Sequence, residues 1–182
     1  DKPIWATPYS IAEEKYREFV YDYYLTLPTT TEQAMLTVIN DNGFSIDDPD
    51  VVTKIINFVQ NKVEYSFEPE TYEGDAAIYF FEKASTGLCR HYATAATALF
   101  RALGIPARYT TGFTAEVKAN TVSQIMLPGH AWVEIYIDGF GWAPLEVTGA
   151  IEGNIPGGGG SGNVGDDEGE EPPVTELSVK PV

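Results

Sequence analysis

The chain holds a single cysteine, Cys89, and two histidines, His91 and His130. A thiol becomes a useful nucleophile when its thiolate is favoured, when a base stands close enough to take its proton, and when a third group orients that base. Cys89 falls in the first turn of a helix-forming run, where unpaired backbone N–H groups and the positive end of the helix dipole favour a thiolate over a thiol. His130 is followed sixteen residues later by Glu146. A cysteine, an imidazole and a carboxylate are the three parts that nucleophilic acyl transfer needs.

The elements that must bring these groups together are legible around them. Ser85 or Thr86 is the expected cap of the cysteine helix. Ala93, Ala95, Ala96 and Ala98 favour its interior, and Gly104 stops it. Leu88, Tyr92, Ala95, Ala96, Leu99 and Leu103 recur with a helical period, so one face turns inward. Pro106 forbids further helix, and Arg108 to Phe113 is β-prone. Beyond a polar stretch from Thr114 to Pro128, Ala131, Val133, Ile135 and Ile137 alternate with His130, Trp132, Glu134 and Tyr136. Asp138-Gly139 then begins a tight turn, and Trp142 to Thr148 reads as the returning strand. A modest register in this hairpin places His130 beside Glu146.

Gly87-Leu88-Cys89, the alanine helix, Gly104-Ile105-Pro106-Ala107-Arg108, His130-Ala131-Trp132-Val133-Glu134, Gly139 to Trp142 and an acid before Val147-Thr148 together resemble the transglutaminase-like superfamily, particularly its bacterial, extracytoplasmic members. The resemblance runs in order from about Val63 to Thr148, with 41 residues from Cys89 to His130. It implies Cys89 as nucleophile, His130 as general base and acid, and Glu146 as third member. The family usually carries aspartate followed by proline there, whereas this chain has Glu146-Val147; a glutamate is one methylene longer and can still hold the imidazole tautomer. The resemblance also implies an oxyanion-stabilising residue some two dozen positions before the cysteine, which points to Tyr65, with the N–H of Cys89 as the other donor. Implied further are an α+β, papain-like core, a protein or peptide amide as substrate with a possible amine cosubstrate, and an extracellular or cell-surface setting within a larger bacterial protein.

The remaining composition limits the alternatives. A net charge of −16 opposes binding to nucleic acid or to an anionic lipid surface. No run approaches the roughly 18 apolar residues of a membrane span. One cysteine forbids an internal disulfide. Two distant histidines without HExxH or CxxC spacing offer no metal site, and neither calcium-loop spacing nor a glycine-rich phosphate loop occurs, so no cofactor is expected. His91 lies two positions from Cys89 and so on a different helix face; it is expected behind the site or at the surface. Arg90, Arg101 and Arg108 are expected to pair with nearby acids.

Upstream, Ser10 and Glu13 form a capping-box pattern for a helix over Ile11–Leu27, whose aromatic stripe is expected to be core. Helices are also expected over Thr30–Asn42, from Pro49 to about Lys62, and over Asp75–Lys83, with a β-prone run at Val63–Phe67. The domain is expected to span residues 1–151. Residues 152–182 have the glycine, proline and acid content of a linker or tail, and their last nine alternate like the start of a further domain. A rival expectation is a catalytically silent binding or scaffolding module that keeps the fold.

Overall fold

The computed structural model describes residues 7–113 and 129–149, with side chains from residue 11 onward. The polar stretch 114–128 and the linker or tail 152–182 lie outside the described residues. The order is α1 (Thr7–Tyr24), α2 (Thr29–Asn42), α3 (Val51–Gln60), β1 (Glu64–Tyr65), α4 (Ala76–Glu82), β2 (Thr86–Gly87), α5 (Cys89–Leu103), β3 (Ala107–Gly112), β4 (His130–Ile137) and β5 (Gly141–Leu145). This is a mixed helix and sheet architecture. Strands β3, β4 and β5 form an antiparallel sheet in that order, and β1 pairs with β2 in parallel.

Helix α5 is the centre of the packing. Tyr92, Ala93, Ala95, Ala96, Leu99 and Phe100 are fully buried. They lie between α2, α3 and α4 on one side and β3 and β4 on the other. The alanines allow close approach, while burial of each large side chain such as Leu99 or Phe100 contributes about 1.5–3 kcal/mol. Gly104 ends the helix with φ 94°; its N–H donates to Arg101 O (3.0 Å) and Ile105 N–H to Phe100 O (2.9 Å), the double bond of a Schellman motif. Arg101 then donates to Ala107 O (2.8 Å) and Thr26 O (3.0 Å), guiding the chain into β3. Arg101 therefore serves backbone carbonyls rather than an acid.

Alternation decides the faces of the sheet. Ala131, Val133 and Ile135 of β4 are buried toward α5, with Ala107 of β3 beside them. His130, Trp132, Glu134 and Tyr136 occupy the other face, which α1 crosses at one end. There Trp142 Nε1 donates to the Tyr16 hydroxyl (2.8 Å), and the Tyr136 hydroxyl donates to Glu13 (3.3 Å).

Several local expectations are corrected. Helix α1 begins at Thr7, so Ser10 lies inside it, and Glu13 bonds to Tyr136 and to Gly139 N–H (3.2 Å) instead of capping. Its aromatic stripe is not core: Tyr16, Phe19, Tyr21 and Tyr23 are exposed, and Val20 is the residue that inserts. Helix α3 starts at Val51 rather than Pro49. Thr86 does not cap α5, because it is drawn into β2 against Glu64, and the cap position falls to Leu88. The returning strand β5 ends at Leu145, which leaves Glu146 in the segment that follows it.

Candidate functional site

Three chain segments converge at the start of α5. Cys89 is its first helical residue, and Leu88 before it is extended at φ −104° and ψ 161°. Leucine has no polar side chain to cap with. His91 supplies the missing acceptor: Leu88 N–H donates to His91 Nδ1 (3.0 Å) while His91 N–H donates to Leu88 O (2.7 Å). A ring nitrogen that accepts carries no proton, so His91 is held as the neutral Nε2–H tautomer. Burial, and secondarily the Arg90 charge, push its pKa below the ordinary 6.5. The ring is buried and meets Tyr72 edge-on at 5.7 Å. It is therefore a brace behind the cysteine rather than a surface group.

The β1–β2 pairing carries Tyr65 to the same place. Its register sets Tyr65 opposite Gly87, two residues before Cys89. A Cβ on Gly87 would come within 3.1 Å of Val63 and 3.2 Å of Tyr92, so a larger residue would have to push these side chains back. The buried Tyr92 hydroxyl locks it by donating to Val63 O (2.8 Å), and burial pushes that hydroxyl up to about 12. Tyr65 is itself raised, first by burial and then by the charges of Cys89 and Glu146. Its phenol thus lies in the field of both groups.

His130 opens β4 and bonds on both sides. Nε2 lies 2.6 Å from Glu146 Oε2. The same ring acts to lower the Cys89 pKa, and with Nε2 taken by Glu146, Nδ1 is the nitrogen left for the sulfur. Bonds to Cys89 and then Glu146 push His130 up to about 10 against the opposing effect of burial. For Cys89, burial acts to raise the pKa. The His130 bond, the backbone N–H groups of Ala131 and Arg90 and the imidazole charge together outweigh it, and the thiol lies below its ordinary 9.0. Both directions favour a thiolate–imidazolium pair.

Glu146 is fixed although it lies outside the strand. Gln60, at the end of α3, donates to the Glu146 carbonyl (3.2 Å), and Thr148 N–H donates to its Oε1 (2.8 Å). A Cβ on Gly149 would meet Gln60 O at 2.5 Å, so the chain after Glu146 lies directly on α3. Burial raises the Glu146 pKa, but the His130 bond and then Thr148 bring it below 4.5. The structure thus brings Cys89, His130 and Glu146 together with Tyr65 nearby, while His91 is committed to Leu88 and Tyr72. Gln60 and Tyr109, whose hydroxyl pKa is raised by burial and then by the Cys89 charge, escaped the sequence reading. Nothing local marks Gln60, whereas Tyr109 lies on the α5 face of β3, where alternation with buried Ala107 could have placed it. Among the described residues no group of His, Cys, Asp and Glu is arranged to hold a metal ion. No helix among them is long and apolar enough to cross a membrane.

Comparison with known proteins gives the family of the chain. The chain is 29% identical over 102 residues to a protein-glutamine gamma-glutamyltransferase of Pseudomonas aeruginosa, covering 54% of this chain and 15% of that protein. It is 28% identical over 144 residues to the uncharacterized protein YebA of Bacillus subtilis, covering 70% of this chain and 19% of that one. The chain thus spans less than a fifth of the length of either relative. Among solved structures, the periplasmic domain of TgpA from Pseudomonas aeruginosa, bound to ethylmercury, superposes with a TM-score of 0.60 at 24% identity over 71% of this chain and 48% of that one. A chain from Cytophaga hutchinsonii, named as a candidate cysteine protease, gives 0.52 at 28% identity over 69% and 40%. The family model for the transglutaminase-like superfamily matches residues 42–147, more than half of the sequence and the whole span from α3 to Glu146, and the chain belongs to that superfamily.

Proposed function

We propose that the chain performs thiol-dependent acyl transfer on the amides of proteins or peptides, with Cys89 as nucleophile, His130 as base and acid, and Glu146 as the carboxylate that orients the imidazole. The observation that carries this reading is the His130 ring held by Glu146 at 2.6 Å, with the Cys89 pKa lowered by that same ring. The thiolate attacks the amide carbon and a C–S bond forms. The resulting oxyanion is met by the Cys89 N–H and by the Tyr65 hydroxyl. Collapse breaks the C–N bond as His130 gives its proton to the leaving amine, and a thioester remains. His130 then deprotonates a second nucleophile, whose attack breaks the C–S bond. Water there gives hydrolysis; an amine gives a new amide crosslink.

Support for a glutamine carboxamide as the first substrate comes from the relative named as a protein-glutamine gamma-glutamyltransferase. The periplasmic setting of the TgpA structure supports placing this chain outside the cytoplasm, as a segment of a larger bacterial protein. We assign residues 1–151 to the domain and 152–182 to an acidic tether. Intact-mass spectrometry of the protein mixed with glutamine peptides and a primary amine tests the reading. The expected species is a Cys89 thioester, peptide mass less ammonia, absent in Cys89→Ala and diminished in His130→Ala. A wild-type protein that forms neither adduct nor product from glutamine or backbone amides overturns it.

A further inference from the structure

We infer that Arg108, acting through Glu134 and Trp132, is a positioning residue for the His130 imidazole. The antiparallel register sets Gly112 opposite His130, Thr110 opposite Trp132 and Arg108 opposite Glu134, so these groups share one face of the sheet. Along that face the contacts are continuous. Arg108 Nε donates to Glu134 Oε2 (2.6 Å), with its Nη2 on the same oxygen. The other oxygen, Oε1, accepts from Trp132 Nε1–H (3.5 Å). The Trp132 indole lies across Gly112, where a Cβ would come within 2.8 Å of its ring carbons. The same indole lies nearly parallel to the His130 ring, 26° between planes and 6.2 Å between centroids.

The far end of the row is anchored as well. The Arg108 guanidinium sits 4.3 Å over the Trp142 ring, which is held by the Tyr16 hydroxyl and by Tyr24 at 4.8 Å. Arg108 is thereby fixed on a planar stack and by a fork of hydrogen bonds, which a lysine could not reproduce in full. The imidazole needs such a brace. Glu146 holds Nε2, but beyond its Thr148 bond the Glu146 side chain is 55% exposed to solvent and does not fix the plane of the ring. Glu134 is 15% exposed, so the rigid carboxylate is the one that reaches the imidazole through an indole.

This inference rests on Cys89 and His130 forming the reactive pair, and its test is independent of acyl-transfer turnover. In the full chain, Arg108→Met keeps an unbranched apolar stem at Trp142 and deletes the fork. Iodoacetamide alkylation of Cys89 is followed against pH, together with the ring-nitrogen signals of His130. The expected result is alkylation slower by about tenfold at neutral pH, with the alkaline limb of the profile displaced downward and partial recovery in Arg108→Lys. A folded Arg108→Met whose profile and His130 signals superpose on wild type overturns the inference, even where its melting temperature falls. Should Arg108→Met not fold, Trp132→Phe, which keeps a ring over Gly112 but loses the N–H, is read the same way, and a superposed profile again overturns it. Absence of turnover in the wild-type protein sinks the acyl-transfer proposal while leaving these two measurements unaffected.

Discussion

Glu146→Gln is the sharpest single perturbation of this site, because it removes a charge while leaving the backbone anchor at Gln60 in place. Gln60 reaches the backbone carbonyl of residue 146, and the single glutamine oxygen can keep the bond to His130, while its amide nitrogen cannot accept from Thr148 N–H as the second carboxylate oxygen does. What is lost is the difference between a charge-assisted and a neutral hydrogen bond, about 1 kcal/mol. Direct attraction between unit charges about 4 Å apart adds roughly another 1 kcal/mol at the dielectric of water. With the carboxylate 55% exposed, solvent screening holds the total toward the low end, about 1–1.5 kcal/mol. At 1.36 kcal/mol per unit, His130 falls by about one pKa unit from its value of about 10, and the balance between ion pair and neutral pair shifts roughly tenfold. The sign follows from the two shifts. Thiolate and imidazolium coexist above the lowered Cys89 pKa and below the raised His130 pKa, so losing the carboxylate narrows that window from its alkaline side. Ring-nitrogen NMR reads this directly, with His91 as internal control since its nitrogen is committed to Leu88. Iodoacetamide kinetics on the only cysteine provides the second reading. If folded Glu146→Gln keeps both the His130 titration and the alkylation rate within about twofold of wild type, the carboxylate is not electrically coupled to the imidazole and the reasoning fails.

Two other outcomes are expected. Tyr65→Phe slows thioester formation from a glutamine peptide by about tenfold to a hundredfold, yet leaves iodoacetamide alkylation unchanged, since alkylation develops no oxyanion; equal effects on both reactions would deny the hydroxyl that role. Asp75→Ala lowers stability by about 1–2 kcal/mol in thermal melts. Asp75 accepts from Ala77 and Ile78 N–H at the start of α4 and from Thr31 of α2 (2.6 Å). Burial raises its pKa, but these bonds hold it below 3.8. The contribution is therefore present above that value and lost as pH falls through the depressed one, and the mutant's deficit should shrink in acid.

The parts of the fold that could be read from the chain are those whose cause is local. Alanines followed by Gly104 determine α5, alternation determines most of β4, and Asp75 before an apolar run marks the start of α4. Cys89, His130 and Glu146 were legible for the same reason, as residue types attached to recognisable elements. What escaped was produced by pairing at a distance. Two-residue strands have no period, so neither the β1–β2 ladder nor its theft of Thr86 from the helix start is written in any window of sequence. His91 became a cap only because that theft left Leu88 without one. The stripe on α1 has the spacing of a buried face, yet its rings meet one another and Tyr136 at a rim open to water. The identity of Gln60 as the anchor of Glu146 depends on a contact 86 positions long.

The thiol, the imidazole and the carboxylate come from the head of a helix, the head of a strand and the chain beyond the next strand. In synthesis from the N-terminus, the cysteine emerges well ahead of the imidazole, and the carboxylate last. Until the sheet closes, Cys89 is an ordinary thiol with no base at hand. On the proposed reading, reactivity is withheld from the nascent chain and arrives only with maturity, and the rate at which the thiol takes up a label would time completion of the fold.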